Sequence, residues 1–101
     1  MATTSKTLFR GAATTDTTTV LYTVPSATTS VITNIVITNT DAASGTFTLG
    51  LAGTNFATTV TVGAYDSTVI DIKQPLATTE TITGGASAIT INFHISGVEI
   101  A

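Results

Sequence analysis

The sequence predicts an all-β protein: a single antiparallel β-sandwich or jelly-roll-like domain of about 7–8 short strands, preceded by a flexible N-terminal arm. Three observations lead there. About a quarter of the 101 residues are threonine, and with Val and Ile they make a β-branched composition that suits pleated strands better than helices. Apolar residues alternate with polar ones in short runs, and clusters of Gly, Pro, Asn, Asp and Ser separate those runs with no helical periodicity. A chain of this length buries roughly 65% of its unfolded surface, enough for one core, so the boundaries are drawn as an arm over residues 1–15 and a sandwich over residues 16–101.

Residues 2–19 are almost wholly small and polar. Only Lys6, Leu8, Phe9 and Arg10 interrupt them, which supports a mobile arm with at most a short edge strand over residues 7–10. Two of the three basic residues of the chain fall in this arm, so these four side chains are the candidate partner contacts. Val20, Tyr22 and Val24 then alternate up to Pro25, which lacks an N–H and ends the strand. Residues 31–39 place Val31, Thr33, Ile35 and Ile37 on one face and Ile32, Asn34, Val36 and Thr38 on the other, the mark of a central strand. A loop follows over residues 39–45, where Asn, Asp, Ser and Gly accumulate.

Phe47, Leu49 and Leu51 form the next apolar face, and a turn over residues 52–55 leads to Phe56, Val60 and Val62 in one register. After a break at residues 63–66, Thr68, Ile70 and Ile72 alternate against Val69, Asp71 and Lys73, Pro75 closes the run, and Leu76 returns to the core. Residues 80–83 read as a short strand that Gly84 and Gly85 turn into the terminal strand, making a final hairpin. That terminal strand has the cleanest pattern: Ile89, Ile91, Phe93 and Ile95 face inward and Thr90, Asn92, His94 and Ser96 outward. At Gly97 the pattern is expected to slip by one, bringing Val98 and Ile100 inward and turning Glu99 outward through a bulge.

Charged residues are 9% of the chain and the formal net charge is −3, which gives no basic patch for nucleic acid. No apolar run approaches the roughly 20 residues that span a bilayer, residues 1–11 lack the apolar core of a secretory signal, and the absence of cysteine excludes thiol chemistry and Cys-based zinc sites. His94 stands on a polar strand face without a catalytic companion, and the carboxylates Asp16, Asp41, Asp66, Asp71, Glu80 and Glu99 are scattered singly. The chain is therefore expected to be no enzyme and to hold no metal or cofactor. Strands so rich in Val, Ile and Thr and so poor in Lys present adhesive edges, which calls for some of them to be covered in an assembly.

The segments Leu21-Tyr22-Thr23-Val24-Pro25, Ile35-Val36-Ile37-Thr38-Asn39-Thr40 and Asn92-Phe93-His94-Ile95-Ser96-Gly97-Val98-Glu99-Ile100 resemble small accessory virion proteins of tailed bacteriophages, in particular capsid cement or decoration proteins. The resemblance runs from about Val20 onward and leaves the arm outside it. It implies a β-sandwich made in the host cytoplasm that sits on the outer surface of a phage head, bridges subunits of the major capsid protein lattice and stabilises the shell. It also implies a homo-oligomer, a trimer with a dimer as the alternative, since closed symmetry cannot grow into fibres. A host-surface or glycan-binding knob on head or tail is the alternative function, drawn from the same fold and the exposed loops over residues 39–45 and 52–55.

Overall fold

In the computed structural model, which describes residues 2–101, the terminal strand β9 (Ile91–Ile100) lies in the interior of the larger sheet, with Ile91, Phe93 and Ile95 fully buried. The other strands are β1 (Thr3–Ala12), β2 (Val20–Thr23), β3 (Thr29–Asn39), β4 (Gly45–Leu51), β5 (Thr54–Val62), β6 (Ser67–Ile70), β7 (Gln74–Leu76) and β8 (Thr81–Ala86). All pairings are antiparallel. One sheet runs β1-β9-β3-β6 with β7 also on β3, and the other runs β2-β8-β4-β5. β6 and β7 are two pieces of one edge, paired with opposite ends of β3. The described residues thus form a two-sheet β-sandwich of nine strands, one more than the upper expectation, because the N-terminal segment joins the sheet.

Between the sheets, Ile32, Ile35 and Ile37 of β3 and Ile91, Phe93 and Ile95 of β9 meet Phe47 and Leu49 of β4 and Ile82 of β8. Phe47 and Phe93 pack edge to face across the layers, with centroids 6.3 Å apart and ring planes at 74°. Each such aliphatic or aromatic side chain contributes about 1.5–3 kcal/mol by leaving water. Without a disulfide, this burial and the strand ladders hold the fold.

Two β-bulges at one level organise the larger sheet. The β1–β9 register shifts between Thr7 and Phe9, and the β3–β9 register shifts between Ile32 and Asn34, so Leu8 and Thr33 are the extra residues on either side of Ser96 and Gly97. The slip expected within β9 is therefore carried by its two neighbours. Ile32 rather than Val31 joins Ile35 and Ile37 inside, and Glu99 stays in phase with Gly97 instead of turning outward. Gly97 is needed for a close approach: a Cβ there would sit 2.9 Å from Leu8 Cδ1 and closer still to the Val31 carbonyl oxygen.

Three further expectations are corrected. Residues 3–12, expected within a loose arm, form an edge strand paired along β9, because Leu8 is buried over Gly97 and Phe9 packs against the core; Met1 of the expected arm lies outside the described residues. The final hairpin does not exist: Gly84 and Gly85 lie inside β8, β8 and β9 belong to opposite sheets, and the crossover exposes Ile89 (69% exposed). These glycines serve packing. A Cβ on Gly85 would meet the Asp16 backbone, and one on Gly84 would come within 2.6 Å of Leu49 Cδ2 and 2.8 Å of the Thr48 carbonyl oxygen. In β5, register shifts around Thr58-Thr59 and at Phe56 break the expected single face, so Ala57 and Val62 are buried while Phe56 and Val60 are exposed. The hairpin between the consecutive strands β4 and β5 turns on Ala52 and Gly53 at φ 51° and 83°, positive φ at both central positions as a type I′ turn requires.

Candidate functional site

The four candidate contacts lie along β1 but do not act alike. Leu8 is 7% exposed and belongs to the core, and Phe9 is half-buried against it, so both fasten the strand rather than reach outward. Arg10 is exposed and paired in register with His94 of β9, which is paired with Val36 of β3, which is paired with Val69 of β6. Because Phe9, Ile95, Ile35 and Ile70 form the adjacent row on the core side, this row lies on the outer face. An Arg and a His beside two valines cross the face there, and Val69 is 61% exposed.

Lys6 has another role. Its Nζ lies 3.3 Å from Glu99 Oε1, and Glu99, whose side chain is only 15% exposed, also accepts a hydrogen bond from the Tyr22 hydroxyl of the opposing sheet. With that proton committed to Glu99, the Ser30 hydroxyl donates to the Tyr22 oxygen at 2.7 Å. Four strands, β1, β9, β2 and β3, thus meet in one polar cluster at an end of the sandwich. The Tyr22 bond, aided by Lys6, holds the Glu99 carboxyl below the usual carboxylate range despite burial, while burial and then Glu99 push the Tyr22 hydroxyl up. This cluster was missed because the expected slip at Gly97 sent Glu99 outward. Counting straight on from Ile91 through Gly97 would have put it inside.

Where the two bulges flank Ser96, an open groove of about 390 Å³ is lined by Ser5, Thr7, Thr33, Ser96 and Val98, together with Lys6 and Gly97. Its hydroxyls and single valine suit contact with a neutral polar or weakly apolar surface. Elsewhere, Asp16 closes the 14–19 loop on itself, its carboxylate accepting from the hydroxyl and amide of Thr18, which hold it below its ordinary value. Among the described residues, no three His, Asp or Glu side chains converge as metal ligands would.

The edges are less adhesive than their composition suggests. β1 carries the Leu8 bulge with Lys6 and Arg10, β2 has four residues and a register shift, β5 has two shifts, β6 has four residues, and β7 has three with Pro75 among them. The exposed large apolar side chains are Val20 of β2, Phe56 and Val60 of β5 and Val69 of β6, all on edge strands, together with Tyr65 and Ile89 between strands.

No family model matches the chain, and no curated protein matches it. Solved structures similar to it include viral and phage capsid proteins. The chain is similar to one in the T13 viral particle of IBDV at a TM-score of 0.50 and 10% identity, over 97% of this chain and 29% of that one. It is similar to one in the acidic stable capsid of Helicobacter pylori bacteriophage KHP30 at a TM-score of 0.48 and 8% identity, over 99% and 94% of the two chains. An exo-β-1,3-galactanase from Phanerochaete chrysosporium matches at a TM-score of 0.46 and 16% identity, over 97% of this chain and 29% of that one. The chain therefore spans less than a third of the IBDV and galactanase chains, and at these identities the likeness is one of fold: the chain is a β-sandwich of a kind also found in viral particles.

Proposed function

We propose that this chain is a structural virion protein, a capsid cement or decoration protein that binds the outer surface of a phage head as a homo-oligomer and bridges subunits of the major capsid protein. The observation that carries this reading is the outer face of the five-stranded sheet. It is a long surface of Ser, Thr and Asn with Val31, Val36, Val69 and Val98 among them, crossed by Arg10 and His94 as its basic groups. Such a face carries little charge to keep it apart from a neighbour and offers hydroxyls and small aliphatic groups for close, shape-based contact. The Ser5–Val98 groove and the Arg10 end of the face are the proposed contact region, with Leu8 and Phe9 holding β1 in place beneath it.

The test is to purify particles with and without this protein, locate it by electron cryomicroscopy, and heat both particle types. Density repeated over the head, together with earlier rupture of particles that lack it, is expected. Density confined to a tail tip would replace this reading with the host-surface knob, and absence from purified particles would end it.

A further inference from the structure

β1 is held in two unequal halves. Phe9–Ala12 is fastened by Leu8 and Phe9 in the core, whereas Thr3, Thr4, Ser5, Lys6 and Thr7 all have exposed side chains. Among these five, the side-chain hydrogen bond is Lys6 to Glu99, at 3.3 and 3.4 Å to the two carboxylate oxygens. We propose that the Lys6–Glu99–Tyr22 cluster is an acid-sensitive latch, and that protonating Glu99 makes residues 3–7 part from β9 several times more often while the sandwich stays folded.

The geometry gives the latch its direction. Glu99 is faced by Lys6 from β1, Tyr22 from β2 and, through Tyr22, the neutral Ser30 from β3, and among the described residues no second carboxylate side chain bonds into the cluster. Ionised, Glu99 draws the Lys6 ammonium across from β1 and accepts the hydrogen bond of the Tyr22 hydroxyl. Protonated, it loses the attraction to Lys6 and keeps only a neutral hydrogen bond to Tyr22. Its folded-state pKa lies below the unfolded value, so the stabilisation is full above the unfolded pKa and disappears as pH falls through the folded one. The Leu8 bulge is the hinge, because Leu8 stays anchored over Gly97 when the residues before it part. Freeing them bares the β9 edge from Ser96 to Ile100, whose open N–H and C=O groups can take an added strand.

Amide exchange by NMR on the full chain tests this, with protection corrected for intrinsic rates. Between about pH 7 and about pH 2, the β9-bonded amides of residues 3–7 are expected to lose roughly three- to tenfold in protection, the scale of one charge-assisted bond at a partly exposed site. The amides of Ile35 and Phe93 hold theirs. Glu99→Gln should show the low protection already at neutral pH with no further step. Lys6→Met, which leaves Tyr22 and Glu99 paired, should release the same residues at neutral pH should the Gln variant fail to fold. Constant protection of residues 3–7 across the range, the same acid step in Glu99→Gln, or parallel loss at Ile35 and Phe93 would each overturn the latch.

Discussion

Replacing Gly97 with Ala tests whether the paired bulges leave β9 any slack. The added methyl would stand 2.9 Å from Leu8 Cδ1 and closer still to the Val31 carbonyl oxygen, with the Val31 carbonyl carbon at 3.2 Å. Leu8 can rotate away, but Val31 belongs to a strand hydrogen-bonded to β9 on both sides of the contact, so the two central strands must separate locally. Overpacking of this kind costs about 1–3 kcal/mol, and its upper end applies where the obstacle is backbone in a ladder. At roughly 4–8 °C per kcal/mol for a domain of this size, about 3 kcal/mol lowers Tm by roughly 12–24 °C. Gly85→Ala is the internal control. Its methyl would strike the backbone of Asp16 and Thr17, in a loop tied to β8 by Ala86 N to Thr14 O and Gly84 N to Thr19 O. That loop can lift at the loss of those two bonds, about 1–3 kcal/mol in all. Thermal unfolding followed by far-ultraviolet circular dichroism should rank wild type above Gly85→Ala and Gly85→Ala above Gly97→Ala. A Gly97→Ala protein melting within a degree of wild type would refute the close approach and the bulge geometry that imposes it.

Ala52 holds φ 51° at the first central position of the β4–β5 turn, so Ala52→Asn should raise stability by about 0.5–1 kcal/mol in urea titration, since Asn tolerates that region. Asn39 is 1% exposed and donates to the carbonyls of Ala43, Val62 and Gly63 while accepting from the Asp41 amide; Asn39→Ala should cost about 2–4 kcal/mol by the same measurement. The Thr90 hydroxyl is buried without a partner, so Thr90→Val should leave Tm unchanged or raise it by a few degrees, roughly the penalty of one orphaned group. Particle occupancy should vary by less than about threefold between low and high salt, because Lys6 at the groove is paired with Glu99 and the rest of the proposed contact face carries Arg10 and His94 as its basic groups; a steep salt dependence would point to a charged interface.

What the sequence makes legible depends on whether a residue's role comes from its own side chain or from a neighbour's backbone. The alternation of Ile91, Phe93 and Ile95 reports burial directly and identifies the core strand, as does the return of Leu76 after Pro75. Gly84 and Gly85 misled because a glycine pair reads as a turn, whereas here its absence of side chain lets Leu49 and the Asp16 loop close onto β8. β1 misled because its polar composition is that of a tail. Only Leu8, displaced by a bulge, and Phe9 enter the core, and the strand exists because β9 offers it an edge. Ile32 and Glu99 follow from the same cause: a bulge on one strand changes which face its own residues occupy, and no pattern within β9 records bulges on its neighbours. The candidate site inherited both errors, with Leu8 placed outside and Glu99 left out of the cluster that secures Lys6.

The bulges also decide how so weakly charged a chain stays free of uncontrolled strand addition. With nine formally charged residues in 101, repulsion between copies is small, and long straight edges of Thr, Val and Ile would add strands freely. Each long edge is instead interrupted, β1 at Leu8 and β5 around Thr58-Thr59 and at Phe56, and the remaining edges are short or contain proline. Under the proposed function, contact then falls to sheet faces, which demand a matching shape, rather than to edges, which pair with any extended chain. For a protein proposed to occupy one position many times over on a regular shell, such contact supplies selectivity without charge. It also gives the Lys6–Glu99–Tyr22 cluster its consequence, because the part of β9 that β1 covers beyond the bulge is a straight edge kept closed by one ion pair and the backbone ladder.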